Sequence, residues 1–132
     1  MDVSITPHDL FGTVEAISSK SYAHRALICA SLANGTTNIT CPYISEDIQV
    51  TVDCLKALGT TIARTKQGFR VVPAKKANRP QNVQLNCKES GTTLRFILPL
   101  LGALNISATI SAEGRLFSRP LKPLISELSS HG

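Results

Sequence analysis

The sequence predicts a mixed α/β fold in which one β-α-β-α-β-β unit is followed by an incomplete second copy, about one and a half repeats in all. Three observations support this prediction. Serines suited to cap helices alternate with short β-branched runs along the 132 residues. The same order of elements begins again after a polar connector at 74–81. Two predicted helices are apolar on nearly every side, so we expect them to be buried on most sides.

The first repeat is assigned to residues 13–80, after an N-terminal segment at 1–12. Its first helix is expected to be capped by Ser18 or Ser19 and to stop before Asn34 and Gly35. Its second helix follows Ser45, another good cap. The predicted elements are, in order, a strand at 12–17, a helix at 20–33, a strand at 36–41, a helix at 46–58, and strands at 60–65 and 69–73.

The second repeat is assigned to residues 81–132, where the order is β-α-β-α and the two closing strands are missing. Ser90 is expected to cap its first helix, and the loop at Arg119 and Pro120 to open its last one. The missing strands predict that the chain is part of a longer protein. The predicted elements are a strand at 82–87, a helix from 90 to about 104, a strand at 105–112 and a helix from about 119.

The composition is globular, with 42% hydrophobic and 17% charged residues. A net charge of +5 favours anionic partners, and an aromatic content of 5% weakens the case for a protein that stacks RNA bases.

The chain shows no secretory signal and no membrane-spanning apolar run, so we expect a cytoplasmic protein. No C-x-x-C pair signals a metal or disulfide framework, and all four cysteines are predicted to be reduced core thiols: Cys29, Cys41, Cys54 and Cys87.

Polar and cationic residues cluster where the first apolar helix begins. Lys20 opens this helix, and Ser21 and Arg25 share one face because they are four residues apart. The free N–H groups and the dipole of a helix N-terminus attract anions, and a neighbouring cation reinforces that attraction. The alternative interpretation is that Ser21 is a capping residue and that both cations are solvated surface charges.

Two further groups lie at comparable places in the second repeat. Gly91 in the first turn of a helix costs roughly 1 kcal/mol relative to alanine, so either a ligand approaches closely there or Ser90 and Gly91 simply form the cap. Arg115 and Arg119 lie in the loop before the last predicted helix. Their planar guanidinium groups suit phosphate and carboxylate, although loop arginines are commonly solvated surface residues.

In order and spacing, these groups resemble the 5-enolpyruvylshikimate-3-phosphate (EPSP) synthase family, also called 3-phosphoshikimate 1-carboxyvinyltransferases. The matching motifs are KSYAHRAL at 20–27, LANGTT at 32–37, ESGTTLRF at 89–96 and GRLFSRP at 114–120. The resemblance covers the whole chain, but members of the family are far longer. The chain is therefore similar to the N-terminal part of such an enzyme.

The resemblance implies an inside-out α/β barrel of β-α-β-α-β-β units with buried helices, in which residues 1–12 belong to the other lobe. It also implies transfer of the carboxyvinyl group of phosphoenolpyruvate to the 5-hydroxyl of shikimate 3-phosphate, with release of phosphate. This reaction belongs to the shikimate pathway of aromatic amino-acid biosynthesis and uses no metal or organic cofactor. The implied partners are these small molecules and the missing C-terminal lobe, with no nucleic acid or membrane.

The family pattern assigns roles to individual residues of this chain. Lys20 would contact both substrates and take part in proton transfer, while Ser21 and Arg25 would hold shikimate 3-phosphate. Gly91 and Arg115 would bind phosphoenolpyruvate. Three further positions match the motifs and are interpreted as supporting residues: Thr92, Arg95 and Arg119.

Two departures from the family pattern bear on activity. Glu89-Ser90-Gly91-Thr92 stands where many members have Asn-Ala-Gly-Thr, which bears on how phosphoenolpyruvate mimics such as glyphosate fit beside Gly91. The third-repeat residues that grip the shikimate phosphate and the whole opposite lobe are missing. We therefore expect this chain alone to be inactive.

Three rival interpretations are weighed against this one. An enolpyruvyl transferase acting on UDP-N-acetylglucosamine has asparagine after the lysine and usually a reactive cysteine in the later loop, whereas this chain has Ser21 and no cysteine at 111–120. A basic β-α-β-α-β-β module that binds RNA would spread its cations over an open sheet face. The chain could also be a folding unit without a ligand. Its exposed apolar surface suggests self-association.

Overall fold

The computed structural model describes residues 2–75 and 80–131, so residues 76–79 of the predicted polar connector lie outside it. None of the helices in these two segments is both long and apolar enough to cross a bilayer. The elements are α1 Lys20–Leu32, β1 Thr37–Thr40, α2 Glu46–Ala57, β2 Thr61–Arg64, β3 Gly68–Val72, β4 Val83–Asn86, α3 Gly91–Leu104, β5 Ala108–Ser111, a 3-10 helix Gly114–Ser118 and α4 Lys122–Ser130.

The strands form two open sheets. The first has the order β1-β3-β2 and is antiparallel throughout, with Phe69 of β3 opposite both Ile39 and Arg64. In the second sheet, β4 pairs in parallel with β5, and α3 forms the connection between them. Mixed α/β architecture is confirmed, and neither sheet closes into a barrel.

Three serines fix where the main helices begin. The hydroxyls of Ser19, Ser45 and Ser90 each accept a hydrogen bond of 3.4 Å from the backbone N–H three residues later. Each cap satisfies an N–H group that the first helical turn leaves without a partner. The three helices meet in one core, to which each contributes a side chain exposed by 1% or less, namely Leu27, Leu55 and Ile97. The predicted caps are confirmed, and the predicted boundaries of these helices are confirmed to within one residue.

The strand predicted at 12–17 is not formed. The side chains of Val14 and Ile17 are 90% and 80% exposed, so the segment gains no apolar burial to offset the entropy lost on ordering it. The first unit is therefore α-β-α-β-β in this chain.

The start of the last helix is also corrected. It begins at Lys122, with Pro123 in its first turn, rather than near Arg119. The segment before it is a 3-10 helix, not an open loop, because the Leu116 side chain is only 2% exposed and anchors it to the core.

Burial of the two apolar helices is one-sided within this chain, which corrects the expectation of burial on most sides. Leu32 and Cys29 of α1 are exposed, so Cys29 is not a core thiol, whereas the other three cysteines are buried. Between α1 and α3 lies an open apolar groove of about 420 Å³. Its lining residues are Arg25, Ile28, Cys29, Phe96, Pro99 and Leu100.

Replacing Gly68 by alanine is expected to lower the free energy of unfolding by about 2 kcal/mol or more. Gly68 has φ +155°, and an added Cβ would collide with the Ile39 carbonyl oxygen across the β1–β3 pair. Gly102→Ala is the matched control, because a Cβ there meets nothing within 4 Å and alanine favours the helix by roughly 1 kcal/mol. Urea unfolding followed by circular dichroism measures both. Equal stabilities for the two variants would contradict the prediction.

Candidate functional site

The candidate lysine at the start of α1 is paired with a carboxylate from the start of α2. Lys20 Nζ lies 2.5 Å from Asp47 Oδ2, and the side chains are 51% and 32% exposed, respectively. The Lys20 hydrogen bond is the largest influence on the Asp47 carboxyl and lowers its pKa, while desolvation opposes the shift and Ser90 reinforces it. The structure therefore presents Lys20 to solvent on one side and fixes it to an ionised carboxylate on the other.

Arg25 extends along α1 and reaches α3. Its Nη1 donates to the Ser21 carbonyl at 3.0 Å, and its guanidinium carbon lies 5.4 Å from the centre of the Phe96 ring. A cation over an aromatic face is attracted by the ring quadrupole without losing its charge. Ser21 and Arg25 are both exposed, so both remain accessible to a ligand.

Two guanidinium groups converge on Gly91 at the start of α3. A Cβ added at Gly91 would lie 2.8 Å from Arg95 Nη1 and 3.0 Å from Arg119 Nη1. Arg95 also donates to the Gly91 carbonyl at 3.2 Å and to the Pro120 carbonyl at 3.4 Å. The residue must therefore be small for these two arginines to pack as they do. Thr92, which follows Gly91, is half-buried.

Glu89 determines the position of the loop that carries Arg115. Its Oε1 accepts a hydrogen bond of 3.0 Å from the Arg115 backbone N–H, and the adjacent Lys88 carbonyl accepts one of 2.8 Å from Glu113. Gly114 has φ +52°, and any side chain there would collide with the Glu89 carboxylate. The Arg115 side chain is left exposed while its backbone is held in place.

The structure brings the α1 and α3 N-termini together through α2. Asp47 contacts Lys20, and its carbonyl oxygen lies 3.5 Å from Thr93 Oγ1 of α3. The hydroxyl of Ser90, the α3 cap, also helps to lower the pKa of the Asp47 carboxyl. Gly91 is adjacent to this cap and is approached by Arg95 and Arg119, whereas Arg115 is linked to the site only through the backbone contact with Glu89.

Sequence reasoning missed Asp47 altogether and missed the contacts of Glu89, which it noted only as part of a motif. Asp47 and Glu89 each lie beside a helix N-terminus, where an acidic side chain is common because it complements the dipole. Their positions therefore gave no signal of contact with a lysine 27 residues away or with the 114–115 backbone. The described residues contain no group of three or more side chains suited to hold a metal ion.

The arrangement is chemically suited to small anions. It brings the Lys20 ammonium group to the N-terminus of α3 through Asp47, and the Arg95 and Arg119 guanidiniums pack against Gly91 in the first turn of that helix. Fixed charges and dipoles of this kind stabilise phosphate and carboxylate with little reorganisation.

Comparison with known proteins identifies the family of this chain. The family profile described as EPSP synthase (3-phosphoshikimate 1-carboxyvinyltransferase) matches residues 5–132. A 3-phosphoshikimate 1-carboxyvinyltransferase of Clostridium kluyveri is 43% identical over 122 residues, which cover 90% of this chain and 28% of that protein. One from Methanocorpusculum labreanum is 34% identical over 137 residues, covering 100% of this chain and 32% of the relative.

A solved structure has the same fold over most of this chain. An EPSP synthase from Acinetobacter baumannii superposes with a TM-score of 0.72 at 23% identity, covering 92% of this chain and 28% of that one. The chain thus spans between 28% and 32% of the length of these relatives. From the profile match and these relatives, the chain belongs to the EPSP synthase (3-phosphoshikimate 1-carboxyvinyltransferase) family.

Proposed function

We propose that this chain is the N-terminal part of an enzyme that transfers the carboxyvinyl group of phosphoenolpyruvate to the 5-hydroxyl of shikimate 3-phosphate. Family membership supports the proposal, and one structural observation supports the assignment of the reaction to this site. The motif residues at the N-termini of α1 and α3 are joined through Asp47 into a single cationic region. The two proposed substrates together bear two phosphates and two carboxylates, whose negative charge such a region would neutralise.

Lys20 is the residue to which we assign the central role. Its ammonium group is held on one side by Asp47 and is half-exposed on the other, where an anionic substrate can share it. In the proposed reaction, the 5-hydroxyl adds to C2 of phosphoenolpyruvate as C3 gains a proton, and phosphate then leaves as a proton is lost from C3. A positioned ammonium group can contact both substrates and take part in these proton transfers.

The two substrates are assigned to the two helix N-termini. Ser21 and Arg25 of α1 would hold shikimate 3-phosphate, with Phe96 supporting the guanidinium of Arg25. Gly91 would admit phosphoenolpyruvate beside the α3 N-terminus, and Arg115 would pair with its phosphate. Thr92, Arg95 and Arg119 would support this second subsite.

The rest of the proposed enzyme would complete the fold. A third β-α-β-α-β-β unit would close the inside-out α/β barrel and cover the apolar groove between α1 and α3, and an opposite lobe would supply the remaining catalytic groups. Residues 1–12 would join that lobe. In the cytoplasm, the complete protein would work without a metal or organic cofactor, in the shikimate pathway.

The isolated 132-residue chain is expected to release no phosphate from a mixture of the two substrates, because the opposite lobe is missing. A chimera in which residues 5–132 replace the matching part of the Clostridium kluyveri relative is expected to release phosphate only when both substrates are present. A coupled phosphate assay on proteins made in a host that lacks its own enzyme measures both. Activity of the isolated chain, or a folded but inactive chimera, would contradict the proposal.

Lys20→Met in that chimera is expected to lower kcat by about 100-fold or more, since it removes a group that acts on protons in the reaction. Lys66→Met is the matched control, because Lys66 lies in the turn between β2 and β3 and belongs to none of the motifs. Steady-state kinetics of both variants provides the measurement. Equal losses in the two variants would show that Lys20 has no special role.

Arg25→Gln and Arg115→Gln in the chimera test the assignment of subsites. Each replacement removes a charge-assisted contact, which corresponds to a rise in KM of about 10-fold or more. Arg25→Gln is expected to raise KM for shikimate 3-phosphate and Arg115→Gln to raise KM for phosphoenolpyruvate, each with little effect on the other substrate. The reverse pattern, or a rise for both substrates in both variants, would overturn the assignment.

A further inference from the structure

A histidine that the proposed reaction does not use is buried where α1 packs against α2. His24 is 0% exposed, and its Nδ1 lies 2.7 Å from Thr51 Oγ1 of α2, which in turn lies 2.7 Å from the uncharged Thr93 side chain of α3. The second ring nitrogen, Nε2, is also buried and has no hydrogen-bond partner within the described residues. The protonation state of a group buried this deeply affects how stably the two helices pack.

The same two helix faces hold the Lys20–Asp47 ion pair. His24 follows Lys20 by four residues on α1, and Thr51 follows Asp47 by four residues on α2, so each pair shares one face of its helix. The ion pair and the His24–Thr51 contact therefore join the same two faces. A change at His24 acts one helical turn away from the ion pair.

Only the neutral imidazole suits this position. A neutral ring carries one hydrogen, and with that hydrogen on Nδ1 it can donate to the Thr51 hydroxyl. A protonated ring carries a hydrogen on both nitrogens, and the one on Nε2 would have no acceptor among the residues that the structure describes. Leaving a buried donor without an acceptor costs free energy, and the cost is larger for a charged group. Protonation of His24 is therefore opposed unless the helices separate and admit water.

The charged groups of the neighbouring elements do not remove this penalty. Burial is the largest influence and lowers the pKa of His24 below its ordinary value. Asp47 of α2 raises this pKa by attraction, whereas Lys20 and Arg25 of α1 lower it by repulsion. Arg70 of β3, a strand that packs against α1, is exposed. The net effect of these groups and of burial is to keep the ring neutral in the folded chain.

We propose that His24 makes the junction of α1 and α2 an acid-sensitive switch: the neutral ring allows the two helices to close, and its protonation opens them and loosens the contact between Lys20 and Asp47. The proposal concerns the packing of this chain without substrate and so goes beyond the proposed function.

The sign of the pH dependence follows from the difference between the folded and unfolded chains. Because the pKa of His24 is lower in the folded chain, the unfolded chain binds the proton more readily. The contribution of His24 to stability is therefore complete well above pH 6.5 and is lost as the pH falls below about 6.5. Over that window, the equilibrium constant of unfolding rises by up to about tenfold for each pH unit.

Urea unfolding of the full 132-residue chain between about pH 8 and pH 5 tests this dependence, since carboxylates remain ionised over most of that range. We expect the unfolding constant of the unsubstituted chain to rise as the pH falls. In His24→Asn, which keeps a short hydrogen-bonding side chain but does not titrate, we expect a much smaller rise. His131→Asn is the matched control, because His131 is exposed, and it is expected to keep the full dependence.

Two NMR measurements on the unsubstituted chain complete the test. The His24 ring signal is expected to titrate below about pH 6.5. Amide hydrogen exchange, corrected for its intrinsic pH dependence, is expected to show that protection falls more in α1 than in β4 and β5 as the pH drops.

Three results would each overturn the proposal. They are a His24 titration at or above pH 6.5, the same pH dependence of unfolding in His24→Asn and His131→Asn, and an equal loss of amide protection in α1 and in the β4–β5 sheet. Where His24→Asn fails to fold, the titration and the exchange of the unsubstituted chain decide. Because no activity is measured, an inactive chimera would leave these outcomes unchanged.

Discussion

The contacts of one face of α2 constrain everything else in the site. Asp47 and Thr51 are four residues apart and therefore share that face, where Asp47 binds Lys20 of α1 and Thr51 contacts both His24 of α1 and Thr93 of α3. Leaving the buried His24, Thr51 or Thr93 side chain without a partner costs about 1–3 kcal/mol. These contacts therefore favour the observed placement of the three helices, which brings the N-termini of α1 and α3 together.

A second constraint fixes the loop on the other side of α3. The Glu89 carboxylate binds the Arg115 backbone, and Lys88 Nζ reaches Glu46 Oε1 of α2 at 3.3 Å. The same contact requires glycine at position 114, because a side chain there would collide with Glu89. Glu89 therefore has a specific structural role: it holds the loop by its backbone and leaves the Arg115 side chain exposed.

Local signals predicted most of the fold, and long-range contacts explain where they failed. The helices capped by Ser19, Ser45 and Ser90 were predicted because a cap is a contact over three residues, which the sequence displays directly. The strand predicted at 12–17 is not formed. An alternation of apolar residues does not reveal whether a neighbouring strand is present to bury them. The residues of the site came from motifs, whereas Asp47 lies outside them and the contacts of Glu89 with the 114–115 backbone act across the fold.

The cations of the site differ in whether a nearby carboxylate neutralises them. Within residues 2–75 and 80–131, the ion pairs closer than 4 Å are Lys20–Asp47 and Lys88–Glu46. Arg25 and Arg95 are held instead by backbone carbonyls, and Arg25 also by the Phe96 ring, all of which orient a guanidinium without neutralising it. Cationic groups that are held in position but not neutralised by a nearby carboxylate can stabilise an anion with little reorganisation. Arg25 and Arg95 therefore remain available to the anionic substrates proposed for this site.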